Sequence, residues 1–151
     1  MKRLFGIALL GAITLFAAGP SAGVWKANLA KSKFDPGPAP KSITHTVSTD
    51  GDWEVLKIDR TDAKGTSSTT TNRWKWDGKE YPYKGSDNIP GVTITATRKG
   101  SVSESTFRRD GKVTLTVKTV LSADGKTRTS TQTGINPEGK AVKNVVVFEK
   151  Q

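Results

Sequence analysis

Cysteine is absent from the 151 residues, and histidine occurs once, at position 45. No disulfide can form, so backbone hydrogen bonds and core packing must carry the fold even in an oxidising compartment. The same two counts exclude zinc or copper centres built on the usual nitrogen and sulfur ligands. A Ser-His-Asp or Cys-His device would depend on His45 alone. No metal-ligand cluster, phosphate-cradling glycine loop or nucleophile elbow occurs. No metal, cofactor or catalytic residue is therefore expected. Acids are scarce too, 14 against 24 Lys and Arg, for a net charge of +10. The cations are dispersed, and no run reaches five like charges. A basic soluble surface is the plain reading, and attraction to an anionic surface or polymer the sharper one.

Long hydrophobic runs are missing except at the start. Met1-Lys2-Arg3 is a short positive segment, residues 4–16 are apolar apart from Gly and Thr, and small residues follow to Gly23. That three-part order predicts a secretory signal peptide over 1–22, with a cut near residues 21–23, and the apolar run is short for a bilayer span. The expectation is an exported chain, periplasmic or extracellular, and not an integral membrane protein once cut. An uncleaved anchor is the alternative. Removing Lys2 and Arg3 lowers the charge to +8 and leaves one domain over 23–151.

What is abundant is Thr, Ser and Val, residues that crowd a helix but suit a pleated surface. Asp50-Gly51, Lys64-Gly65, Asp77-Gly78, Lys99-Gly100, Asp110-Gly111, Asp124-Gly125 and Glu138-Gly139 punctuate the chain as tight hairpin turns. Between them Val92, Ile94 and Ala96 alternate with Thr, as do Val113, Leu115 and Val117. This period of two predicts about ten strands, over 24–29, 42–49, 52–61, 66–76, 79–84, 91–98, 101–109, 112–122, 126–134 and 140–150. Residues 34–41, with Pro36, Pro38 and Pro40, cannot extend a ladder and should form an ordered loop or lid. A second irregular link spans 85–91. The fold class is all-β, an antiparallel up-and-down meander closing into a barrel, with an open two-sheet sandwich as the fallback.

Gly23-Val24-Trp25-Lys26 followed by Lys33-Phe34-Asp35, together with the ending Val145 to Lys150, resembles the fatty-acid-binding proteins of the calycin superfamily, which also holds the lipocalins. The chain is also similar to small exported lipocalin-like proteins of bacteria. The resemblance implies that Trp25 plugs one barrel end above Gly23. In the family an Arg and a Tyr two apart on the last strand hold a carboxylate; here Val146 and Phe148 stand at those positions. A second inward Arg would fall near residues 118–120. The two-helix lid is replaced by the proline-rich stretch.

Candidate ligand-binding residues are Trp53, Trp74, Trp76, Tyr83, Glu104 and Arg108. Trp74 and Trp76 share a face, as do Tyr81 and Tyr83 beyond the Asp77-Gly78 turn. They form either a cross-strand aromatic cluster or a stacking wall for a flat or apolar ligand. Glu104 interrupts a run of small residues and shares a face with Arg108, so the two would make either an internal charged site or a solvated pair. His45, alternating with Ile43 and Val47, reads as a hydrogen-bonded core residue, with ligand contact as the alternative. The expected function is interior binding of a small apolar or amphipathic molecule by a monomer, with no enzyme activity and no nucleic-acid partner. The rivals are a plugged module acting through its basic surface on anionic envelope or polymer, and an enzyme centred on Glu104 and Arg108.

Overall fold

The computed structural model describes residues 19–151, so the predicted signal segment lies outside the described residues except for its last four. Ten strands follow: β1 (Gly23–Ala27), β2 (Ser42–Asp50), β3 (Trp53–Thr61), β4 (Ser67–Trp74), β5 (Asp77–Tyr83), β6 (Val92–Lys99), β7 (Val102–Arg109), β8 (Lys112–Leu121), β9 (Thr127–Ile135) and β10 (Ala141–Lys150). A short 3-10 helix, Leu29–Lys31, leads out of β1. The turn glycines and the Thr/Val alternation mark these strands to within about two residues.

All strands form one antiparallel sheet in the order β4-β3-β2-β1-β10-β9-β8-β7-β6-β5. Sequence neighbours pair as hairpins, and β1 closes the ring by pairing with both β2 and β10. The barrel is nearly closed: β4 and β5 are consecutive in the chain yet share no ladder. Residues 84–91 lean across this seam instead. Ser68 Oγ donates to the Ser86 carbonyl at 3.0 Å, Thr70 Oγ1 donates to the Gly85 carbonyl, and the Lys84 amide donates to Asn72 Oδ1 at 2.7 Å. Arg60 and Asp87 pair at 2.6 Å above them.

Trp25 is fully buried and Phe148 nearly so, with Val146, Ile94, Ala96, Leu56, Ile58 and Val47 completing the core. Trp25 closes one end, its indole N–H donating to the Ser21 carbonyl at 2.8 Å. At the other end the proline-rich segment is strapped to β10. Lys33 bridges Val145, the Asp35 amide donates to Asn144 Oδ1 at 2.9 Å, and the Lys143 amide donates to the Asp35 carbonyl at 2.7 Å. Gly134 permits a close approach here. The register of β7 on β8 shifts after Phe107, and a Cβ at 134 would overlap the Thr114 carbonyl and lie 2.8 Å from the Leu115 Cα.

Candidate functional site

Alternation along each strand fixes which side chains enter the barrel. Ile43, His45 and Val47 from β2, Glu54, Leu56 and Ile58 from β3, and Ile94 from β6 surround a cavity of about 470 Å³. Trp74, Trp76, Tyr83 and Phe107 line it as well. Its volume falls in the range of small-molecule sites. The mouth lies at the strapped end, among Phe34, Pro40, Ile89 and Pro137.

The floor, near the Trp25 end, is charged. Glu54, 5 % exposed, pairs with Arg98 at 2.5 Å and accepts the Trp76 indole N–H at 2.9 Å. The Arg98 guanidinium lies 4.0 Å over the Trp76 ring. Beside this pair Arg128 is nine-tenths buried, 4.8 Å over Phe148 and 5.1 Å over Trp25. One Arg128 nitrogen donates to His45 Nδ1 at 2.5 Å, while its Nε has no hydrogen-bond partner. Burial pulls the Arg128 guanidinium down to about 10, a fall opposed by the charge of Glu54. Burial likewise holds His45 well below its ordinary value, and Arg128 adds to that effect. The imidazole is therefore neutral, with Nδ1 accepting. Burial pushes the Tyr83 phenol up, against the opposing charge of Arg128.

The structure brings Trp74, Trp76 and Tyr83 together. The Trp74 ring meets Trp76 edge-on at 5.6 Å and Tyr83 at 6.2 Å. These three are both a cross-strand cluster and a cavity wall. Three other expected residues are elsewhere. Leu56 and Ile58 fix the inward phase of β3, which turns Trp53 outward, under Arg73 at 4.3 Å and against Tyr81 at 5.2 Å. Tyr81 and Tyr83 stand opposite Ile94 and Val92 in the β5–β6 ladder and share a face as expected, though only Tyr83 lines the cavity. In β7 the inward anchor is Phe107, so Ser103 and Ser105 enter the cavity while Glu104 and Arg108 sit on the outer face. Glu104 is exposed opposite Lys118, and Arg108 donates to Thr95 Oγ1 at 3.1 Å. An internal Glu104–Arg108 site is therefore corrected to two separate outer-face groups.

Sequence reasoning missed Arg128, Glu54 and Arg98. Val146 and Phe148 are core, as their type demands, and Arg128 lies directly opposite Phe148 in the ladder. The interior cation thus stands on β9, and in β8 Thr119 rather than Lys118 lines the cavity. A usable clue was the pairing of β9 with β10, which carries the inward phase that the resemblance implied for Val146 and Phe148 onto Ser130 and Arg128.

Ten antiparallel strands meandering into a nearly closed barrel around an apolar interior make a fold shared with solved small β-barrels. Among solved structures the chain is similar to the fluorescent protein UnaG, at TM-score 0.61 and 20% identity over 86% of this chain and 96% of that one. It is also similar to zebrafish ileal bile acid-binding protein complexed with cholic acid, at TM-score 0.51 and 13% identity over 87% of this chain and 99% of that one. No protein-family model and no curated protein sequence matches the chain.

Proposed function

We propose that this protein is a non-enzymatic, exported carrier or scavenger that sequesters a small apolar or amphipathic molecule inside its barrel. The observation that carries this reading is the roughly 470 Å³ interior cavity, walled by Leu56, Ile58, Ile94, Trp74 and Phe107. Apolar ligand surface entering it leaves water at roughly 25 cal/mol per Å². The buried guanidinium of Arg128, with Nε unpartnered, favours an electron-rich group at the deep end. The binding of cholic acid by a similarly folded protein is in keeping with this chemistry. Export rests on the N-terminal sequence pattern. The open cavity weighs against a plugged interior that acts only through its basic surface.

Native mass spectrometry of the chain purified gently from its exported compartment tests the reading, together with tryptophan-fluorescence titration by an apolar probe. A co-purified molecule displaced one-for-one by the probe is the expected result. A bare mass with no saturable fluorescence change would overturn it.

A further inference from the structure

The four residues ahead of β1 fold with the barrel. Gly19-Pro20-Ser21-Ala22 forms a turn in which the Ala22 amide donates to the Gly19 carbonyl at 2.9 Å. Pro20 holds the second position of that turn, where its fixed φ is already suitable. Ser21 and Ala22 are half-buried. A Cβ built on Gly19 would stand 3.5 Å from Thr49 Cγ2 and 3.6 Å from an Arg98 guanidinium nitrogen, so the turn lies against the floor end. Ser21 also lines the cavity, together with Glu54, the partner of Arg98.

One bond ties this turn to the core. The Ser21 carbonyl accepts the Trp25 indole N–H at 2.8 Å, and it is the one acceptor of that group among the described residues. Trp25 has no exposed surface, and an indole nitrogen can donate but not accept. A buried donor without a partner costs more than an ordinary hydrogen bond gains. Residues 19–22 are thus a structural part of the floor that Trp25 plugs, although the sequence pattern assigns them to a leader. The small residues that a leader peptidase needs stand on both sides of Pro20, at 17–19 and at 21–23. A cut after Ser21, Ala22 or Gly23 would remove the acceptor. One after Gly23 would also remove the residue paired with Val47 at the start of β1.

Building on the exported reading, we infer that the leader is cut upstream of the turn, after Ala17, Ala18 or Gly19. The mature chain then keeps Pro20, Ser21 and Ala22 as the closing piece of the barrel floor. This moves the processing site from the region of 21–23 to the other side of Pro20, and it extends the folded domain to include those residues. Leader removal precedes folding of the exported chain, so the peptidase reads only the residues around the bond. What the fold decides is which product closes its floor.

Intact-mass spectrometry and amino-terminal sequencing of the full-length chain after export test this, run beside a Pro20→Gly variant. A wild-type start at residue 18, 19 or 20 is the expected result. The variant should then carry its substitution in the mature mass and melt a few degrees lower, because a freer turn holds the Ser21 carbonyl less firmly. A start at Ala22, Gly23 or Val24 would overturn the inference, and the variant would then mature to a product identical to the wild type. A retained Pro20 whose replacement leaves the melting temperature unchanged would overturn it too, since the turn would be a loose overhang. A chain exported but recovered uncut sinks the inference and leaves the exported reading standing. A chain that never leaves the cytoplasm sinks both, and the compartment in which it is found tells the two results apart.

Discussion

At the scale of single residues, the two cations of the floor, half-buried Arg98 and buried Arg128, differ in kind. Arg98 has a carboxylate partner in Glu54, whereas Arg128 has only a neutral imidazole and two aromatic faces. Breaking a buried pair strands a charge, while removing Arg128 strands only the neutral His45 Nδ1 acceptor. Glu54→Gln should therefore lower the unfolding free energy by about 3 kcal/mol. Arg128→Met should shift it by no more than about 1 kcal/mol, since the loss of cation–π contact offsets relief from burial. Urea denaturation checks the order of the two variants, and the reverse order would contradict this account of the floor. His45 supplies a pH dependence. Unfolded, it takes up a proton near pH 6.5; folded, only well below that, because burial and Arg128 disfavour the cation. The unfolded state binds more protons across that window, so stability rises with pH there and is lost as pH falls below about 6.5. Melting temperature should drop between pH 7.5 and 5, and His45→Gln should flatten that slope. Asp59 and Asp62, whose carboxyls are held low chiefly by hydrogen bonds from the Thr69 hydroxyl and the Thr66 amide, act in the same sense only at more acid pH.

At the scale of elements, the seam between β4 and β5 is the weak part of the wall. Its closure depends on the side chains of Ser68, Thr70 and Asn72 reaching the backbone of residues 84–86 rather than on a ladder. Removing one such bond by Thr70→Val should leave the strand in place but speed amide exchange in β4 and residues 84–91. Hydrogen exchange followed by mass spectrometry reads this, with β9 and β10 as internal controls. The same scale explains what the sequence made legible. β2 and β6 contain Ile or Val on one phase only, so both their extent and their inward face could be read. β9 runs Thr-Arg-Thr-Ser-Thr-Gln, and the first half of β7 runs Val-Ser-Glu-Ser-Thr. Neither phase is apolar there, and a strand of that kind shows that it is extended without showing which way it faces. Arg128 was missed and Glu104 misplaced for this one reason. Trp53 misled differently: a large aromatic at a strand end was free to cover the outside, where Arg73 and Tyr81 receive it.

At the scale of the whole molecule, two tryptophans line the cavity, one plugs the floor and one lies outside. Ligand entry should therefore change the emission of Trp74 and Trp76 and leave that of Trp53 alone. Trp53→Phe should keep the full fluorescence response to an apolar probe, and a Trp74→Phe/Trp76→Phe double variant should lose most of it. No helix among the described residues is long and apolar enough to cross a membrane. The buried apolar side chains line the barrel interior, and many of the dispersed Lys and Arg residues are exposed on its exterior.

The seam has one more consequence, for the order in which the chain assembles. Every ladder joins strands consecutive in sequence except β1 with β10, the most distant pair, and that ladder must wait for nearly the whole chain. The Gln151 amide already donates to the Val24 carbonyl at 2.9 Å, so the two ends of the barrel domain are adjacent. Joining them by a short linker and opening the chain between Lys75 and Trp76 would cut no ladder and turn all nine pairings into hairpins. Such a permuted chain would have a lower contact order, and stopped-flow refolding should find it faster than the natural one.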